Sequence, residues 1–143
     1  MILIDTTIWS LALRRRPDDL NEREKILLEE WSRLVRRGQA ALIGPIRQEV
    51  LSGIKNEKAF EAIRESLGDF RYLDIEPTDY DTAAAFFNTC RSNGISGTSI
   101  DLLICAVAHR HGVPIFSTDP DFGHYAPLVK VELHQPDLNT KNQ

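Results

Sequence analysis

Short apolar segments alternate with longer segments of helical periodicity along most of the chain. Buried strands are predicted at the short apolar segments, which are 2–4, 40–43, 72–75, 115–116 and 128–131. Helices are predicted at the longer segments, which are a short helix through Trp9 and Leu13, then 21–37, a helix opening at Gly44-Pro45, 56–67, 78–92 and 102–109. Strands separated by helices indicate an α/β domain of three layers, α/β/α, with a mainly parallel sheet of about five strands.

The composition fits one soluble globular domain. The chain has 143 residues, of which 42% are hydrophobic and 27% are charged. We expect residues 1–135 to form the domain and 136–143 to be a frayed polar tail. No apolar run approaches the roughly 20 residues that cross a bilayer, and the N-terminal segment becomes acidic at Asp5, which is not typical of a signal peptide. The expected location is the cytoplasm, and Cys90 and Cys105 are expected to be buried thiols.

The net charge of −4 argues against nucleic-acid binding by surface charge alone. It does not argue against a protein that recruits phosphate through bound cations. A local basic cluster, Arg14-Arg15-Arg16, follows the first predicted helix. For this cluster, RNA phosphate contact and simple solvation remain equally open.

Acidic residues lie at the predicted ends of strands and starts of helices. Asp5 follows the first strand, Asp119 follows the fourth, Asp101 opens a strongly apolar helix, and Glu49 borders an apolar helix stripe. Taken singly, each has a structural explanation, such as a helix cap for Asp5 or a turn for Asp119 and Asp121. Because ligands of parallel sheets bind beyond the carboxyl ends of the strands, we expect these acids to converge at one rim.

Several carboxylates in one pocket predict a bound cation. Two unit charges about 4 Å apart repel by about 4 kcal/mol at an effective dielectric near 20, so compensation is required. Ligand sets made only of oxygen select hard ions such as Mg²⁺ or Mn²⁺. Those ions attract phosphate oxygens and activate water, which fits phosphodiester hydrolysis. Thr6 and Thr7 could supply a hydroxyl that positions the water or orients Asp5.

Four motifs, in order along nearly the whole chain, resemble those of PIN-domain nucleases, and among them the VapC-type toxins of toxin–antitoxin pairs. The motifs are ILIDTTIW at 2–9, QEVLSG at 48–53, IDLLICAVAH at 100–109 and STDPDF at 117–122. Thr7 stands where Ser is common and Ser117 where Thr is common, and both keep a hydroxyl. The resemblance implies a PIN-like fold and a metal-dependent endoribonuclease.

The resemblance also assigns roles to residues. The acidic quartet that holds Mg²⁺ or Mn²⁺ would be Asp5, Glu49, Asp101 and Asp119, with Asp121 as an auxiliary acid and Thr6 as a supporting hydroxyl. It implies an RNA substrate, a homodimer and a VapB-like antitoxin that lies in a groove and blocks the acidic pocket. The apolar positions Trp9, Leu13 and Trp31 could supply that groove.

Other functions remain open from the residues themselves. A PIN nuclease of RNA processing would carry the same site. A phosphatase with Asp5 as nucleophile lacks an obvious second acid and a catalytic lysine. A metal-free ribonuclease would need histidine pairs, but the spacing of the four histidines predicts no shared face; they are His109, His111, His124 and His134. A regulatory module without catalysis would bind Mg²⁺ and leave RNA intact.

Overall fold

The computed structural model describes residues 1–136. Its strands are β1 (Ile2–Ile4), β2 (Ala40–Leu42), β3 (Arg71–Tyr72) and β4 (Ile115–Phe116). Its α-helices are α1 (Thr6–Arg14), α2 (Glu22–Arg36), α3 (Gly44–Leu51), α4 (Glu57–Gly68), α5 (Pro77–Ser92), α6 (Ser99–His111) and α7 (Asp121–Val129). Residues 137–143, most of the predicted polar tail, lie outside the described part.

The four strands form one parallel sheet in the order β3-β2-β1-β4. β1 is therefore flanked by β2 on one side and by β4 on the other, and the strand order reverses beside it. In the register of β1 and β4, Leu3 pairs with Ile115 and Ile4 pairs with Phe116. The predicted α/β class with a parallel sheet is confirmed, and the reversal marks the rim where such sheets bind ligands.

The strand predicted at 128–131 is wrong. Leu128 and Val129 belong to α7, and the chain turns at Lys130, which has a positive φ of 57°. The buried residues of α7 are Phe122, Tyr125 and Val129, whose spacing of three and four places one helical face on the core. After α7, the chain pairs with the sheet at Leu133, which makes an isolated parallel bridge to Ile115. The sheet thus has four strands and this bridge, and β3 begins at Arg71, one residue before its predicted start.

Side-chain caps fix the starts of three predicted helices. Asn21 and Glu24 form a capping box before α2, and Asn56 accepts a hydrogen bond from the Ala59 N–H before α4. Thr98 caps α6 by accepting from the Asp101 N–H at 3.1 Å. None of the helices in residues 1–136 combines the length and apolar character that crossing a membrane requires.

The helices pack in two groups around a core centred on the strands. α1 contacts α2 and α3, and α3 contacts α4, whereas α5 contacts α6 and α7. Trp9 is fully buried, and its ring makes edge contacts with Trp31 at 5.8 Å and Phe70 at 4.7 Å between ring centroids. Trp9 is therefore a core residue, and the prediction that it contributes to a partner groove is wrong. Cys90 and Cys105 are free and buried, as predicted.

Candidate metal centre

Asp5 and Ser117 meet where β1 and β4 end. The Asp5 N–H donates to the Phe116 carbonyl at 2.9 Å, which extends the register by one residue. The Ser117 hydroxyl donates to Asp5 Oδ2 at 2.7 Å, and the Thr7 hydroxyl donates to the same oxygen at 3.2 Å. Asp5 occupies the N-cap position of α1 and makes no side-chain capping bond there.

Burial makes the Asp5 carboxylate costly to ionise. Its residue is 5% exposed, and burial raises the pKa of Asp5, while the hydrogen bonds from Ser117 and Thr7 act in the opposite direction. A buried charge of this kind is stable only when partners or a cation compensate it. The environment therefore favours a positive ligand at this rim.

Three further carboxylates lie together beside this pair. One oxygen each from Asp101, Asp119 and Asp121 lies within 4.8 Å of the others. Asp101 is in the first turn of α6, Asp119 follows β4, and Asp121 begins α7. The Asp121 N–H donates to Asp119 Oδ1 at 2.9 Å, and the Asp119 N–H donates to the Ser117 hydroxyl at 3.0 Å. Ser117 therefore connects this acidic group to Asp5.

The pKa of Asp101 is raised, as expected for a carboxylate among other carboxylates. Burial raises the pKa of Asp101, the charges of Asp5 and Asp119 raise it further, and a hydrogen bond from Tyr125 lowers it. The Tyr125 hydroxyl donates to Asp101 Oδ2 at 3.0 Å. Both acids therefore belong to the environment of this rim: the charge of Asp5 is among the causes that raise the pKa of Asp101.

Glu49 joins the rim at its edge. It lies on α3 and is exposed, and the Thr6 hydroxyl donates to Glu49 Oε1 at 3.2 Å. Within residues 1–136, Asp5 and Glu49 are outside the 4.8 Å group formed by the other three acids. The structure thus brings Asp101 and Asp119 together with Asp121, which was expected to be only auxiliary.

The donor set fits a hard divalent cation. Every group within the 4.8 Å cluster offers a carboxylate oxygen, with no thiol or imidazole among the members. Oxygen-only sets of this kind suit Mg²⁺ or Mn²⁺ and do not suit zinc, which takes nitrogen and sulfur ligands in most sites.

A groove between α1 and α2 opens beside the acids. It has a volume of about 530 Å³, and Thr7 and Thr118 line it together with Arg14, Arg15 and Arg23. Arg15 pairs with Glu24 at 3.4 Å, also a lining residue. Of the three residues in the predicted basic cluster, Arg14 and Arg15 line this groove, and Arg16 does not.

Three of the four histidines contact different residues. His111 contacts Asp74, His134 contacts Glu30, and the His109 ring packs against Phe86. His109, His111 and His134 thus lie against separate neighbours.

Ser117 and Tyr125 are site residues to which the sequence assigned no role. The parallel pairing of the first and fourth strands could have identified Ser117, since it follows β4 as Asp5 follows β1. Tyr125 could have been suspected because it lies four residues after Asp121, on the same helical face. Its contact with Asp101 depends on how α7 docks, which no local pattern encodes.

The PIN domain family matches residues 2–128 of the chain. Two relatives, VapC ribonuclease Mb1587 of Mycobacterium bovis and Ribonuclease VapC11 of Mycobacterium tuberculosis, are each 30% identical over 135 residues, covering 92% of this chain and 96% of theirs. The chain is a PIN-domain protein of the VapC type. The recognition made from the four motifs is confirmed.

Two solved structures have a similar fold. FitAcB from Neisseria gonorrhoeae superposes with a TM-score of 0.69 at 21% identity, covering 95% of this chain and 98% of that chain. VapBC2 from Rickettsia felis, bound to a DNA fragment from its promoter, superposes with a TM-score of 0.72 at 16% identity, covering 96% and 100%. At these identities the likeness supports the fold.

Proposed function

We propose that this chain is a divalent-metal-dependent endoribonuclease and the toxin of a VapBC-type pair. The observation that supports it most directly is the cluster of Asp101, Asp119 and Asp121 oxygens at the rim where β1 and β4 end. The two relatives named as ribonucleases support RNA as the substrate class. The proposed site of action is the cytoplasm.

Five acids form the proposed metal-holding set. Asp101, Asp119 and Asp121 lie close enough to share one ion, and Asp5, at the end of β1, is held by Ser117 and Thr7. Glu49 reaches the rim from α3 and is held by Thr6. A bound Mg²⁺ or Mn²⁺ would neutralise these charges, polarise the scissile phosphate and acidify the attacking water.

RNA is proposed to approach along the groove between α1 and α2. Thr7 and Thr118 line it next to the acids, and Arg14, Arg15 and Arg23 also line it. Guanidinium groups bind phosphate oxygens by paired hydrogen bonds, so these arginines would hold backbone phosphates next to the scissile one. Their local positive charge explains how a chain of net charge −4 could bind RNA.

We propose that the VapC-type homodimer forms through α5 and α6. A groove of about 400 Å³ lies there, and Tyr80 and Ile100, the exposed large hydrophobic residues of the described chain, both line it. Its other lining residues are also uncharged; they are Ala83, Ala84, Phe87, Asn88, Ser99 and Leu103. An uncharged, largely apolar surface meets a copy of itself without charge repulsion, which suits an interface with two-fold symmetry.

The dimer is tested by sedimentation of the purified chain and of Ile100→Asp. The wild-type chain should sediment as a dimer and the variant as a monomer, because a carboxylate placed in an apolar interface has no partner. A wild-type monomer, or a dimeric Ile100→Asp, would contradict the assignment. A VapB-like antitoxin is the second proposed partner, and it should abolish cleavage when added to the active chain.

The activity is tested by incubating purified chain, free of any inhibitor, with RNA in Mg²⁺, in Mn²⁺ and in EDTA. Cleavage is expected with either metal and should stop in EDTA. The new ends should carry 5′-phosphates, as attack by water on the phosphorus with departure of the 3′-oxygen requires. Products with 2′,3′-cyclic phosphates would instead indicate attack by the ribose hydroxyl and would overturn the proposal. Phosphate release without RNA cleavage would indicate a phosphatase.

A further inference from the structure

Tyr125 is a fully buried tyrosine whose hydroxyl contacts Asp101, a member of the acidic cluster. It lies on α7, has no exposed surface, and packs edge-on against Phe122 at 5.5 Å between ring centroids. The loop at Gly97 closes over the ring, because a Cβ added there would lie 3.3 Å from Tyr125 Cε1. The position of the ring is therefore fixed by packing on more than one side.

The hydroxyl of this ring meets a carboxylate of the proposed metal site. It donates to Asp101 Oδ2 at 3.0 Å, and a buried hydroxyl without such a partner would be costly. Asp101 is also held through its backbone, since its N–H donates to the Thr98 hydroxyl at 3.1 Å. The Thr98 cap fixes where α6 begins, and the Tyr125 hydroxyl is bonded to the Asp101 carboxylate itself.

We propose that Tyr125 is a positioning residue that orients the Asp101 carboxylate for the divalent ion. The proposal rests on the proposed function, in which Asp101 is a metal ligand. A carboxylate with one oxygen hydrogen-bonded loses rotational freedom, so less order has to be imposed when the ion binds. Groups that hold metal ligands in this way commonly change metal affinity or activity by about 10- to 100-fold when removed.

The chain provides a matched control at Tyr72. Its hydroxyl is also partly buried, accepts from Arg47 Nη1 at 2.7 Å and donates to the Leu67 carbonyl at 3.0 Å. Tyr72 lies on β3, at the far edge of the sheet from β4. Tyr125→Phe and Tyr72→Phe therefore each remove one hydroxyl that makes part-buried hydrogen bonds, but only the first removes it from a proposed metal ligand.

The experiment measures Mn²⁺ binding by calorimetry, RNA cleavage kinetics and thermal unfolding for both variants and the wild type. Tyr125→Phe should weaken Mn²⁺ binding by about 10-fold or more and lower kcat, with KM for RNA unchanged, because the phosphate-binding groove is intact. Tyr72→Phe should lower thermal stability comparably and leave Mn²⁺ binding unchanged. Wild-type Mn²⁺ affinity in Tyr125→Phe, or equal loss in both variants, would overturn the positioning role.

Failure of the proposed function would look different. Asp101→Asn should lose Mn²⁺ binding if Asp101 is a ligand. If Asp101→Asn binds Mn²⁺ as the wild type does, the metal site itself is wrongly assigned. If Asp101→Asn loses binding and Tyr125→Phe keeps it, the site stands and only the role of Tyr125 is refuted.

Discussion

Ser117 donates a hydrogen bond of 2.7 Å to Asp5 across 112 positions of sequence. The contact follows from the parallel register of β1 and β4, which pairs Ile4 with Phe116 and so places the next residue of each strand side by side. The same serine oxygen accepts from the Asp119 N–H at 3.0 Å. The Ser117 hydroxyl thus holds both the buried Asp5 carboxylate and the backbone at Asp119 in the adjacent acidic cluster.

Replacing Ser117 by Ala should therefore impair catalysis more than folding. The change removes the donor to Asp5 and the acceptor for Asp119, and RNA cleavage should fall by about 10- to 100-fold. Ser117→Thr keeps the hydroxyl and should retain most of the activity. Cleavage rates at saturating Mg²⁺ test this, and equal activity of the Ala and Thr variants would show that the hydroxyl has no role.

Replacing Asp101 by Asn should stabilise the metal-free fold while abolishing cleavage. Burial and the charges of Asp5 and Asp119 raise the pKa of Asp101, so its ionised form is unfavourable in the folded chain at neutral pH. The melting temperature in EDTA should rise, and activity should fall by more than 100-fold because a proposed ligand is lost. Asp81→Asn, an exposed change on α5, is the control for both measurements. Unchanged cleavage by Asp101→Asn would contradict the assigned site.

Asp79 and Arg110 should control stability in acid. Arg110 donates to both carboxylate oxygens of Asp79, and these bonds hold the pKa of Asp79 below its ordinary value. A lowered pKa in the folded state means that the ionised carboxylate favours folding, and that this contribution is lost as the pH falls through the folded-state pKa. Asp79→Asn should cost about 1.5–3 kcal/mol at pH 7.

The difference between Asp79→Asn and wild type should shrink as the pH falls below about 4. Urea unfolding of both proteins between pH 7 and pH 3 measures it. A difference that stays constant over that range would show that the ionised form of Asp79 does not favour the folded state.

Gly97 and Gly123 should respond oppositely to alanine. A Cβ at Gly97 would come within 2.4 Å of Leu102 Cδ2, inside a buried cluster, whereas a Cβ at Gly123 meets nothing within 4 Å. Gly97→Ala should destabilise the fold by about 1–3 kcal/mol. Gly123→Ala, inside α7, should stabilise it by about 0.5–1 kcal/mol. Thermal melts of both variants decide the point, and a neutral Gly97→Ala would show that Leu102 repacks freely.

Arg14 and Arg16 should differ in RNA binding although they are two positions apart. Arg14 lines the groove beside the acids and Arg16 does not. Arg14→Gln should weaken RNA binding and reduce the slope of log affinity against log salt by about 1. Arg16→Gln should leave both nearly unchanged. RNA binding is measured in Ca²⁺, with both changes made in the Asp101→Asn variant so that the RNA stays intact. Equal effects of the two changes would contradict the proposal that RNA binds in this groove.

The strand ends were predictable from sequence because one short apolar run stops at Asp5 and another stops at Ser117, two residues before Asp119, and such ends define the rim of a parallel sheet. The end of α7 was not, since Pro127 opposes a helix and Leu128, Val129 and Val131 imitate a strand. Burial of one helical face outweighs the loss of the N–H at Pro127. The direction of the Tyr125 hydroxyl was also beyond local pattern, because it is decided by contacts between α7 and α6.

The central place of β1 in the sheet has a consequence during protein synthesis. The ribosome makes Asp5 more than a hundred residues before Asp119, and β1 has only β2 as a neighbour until β4 emerges. At about 5–20 residues per second, this interval is on the order of 10 s. A nascent chain that has not yet reached Asp119 and Asp121 therefore has no complete acidic centre.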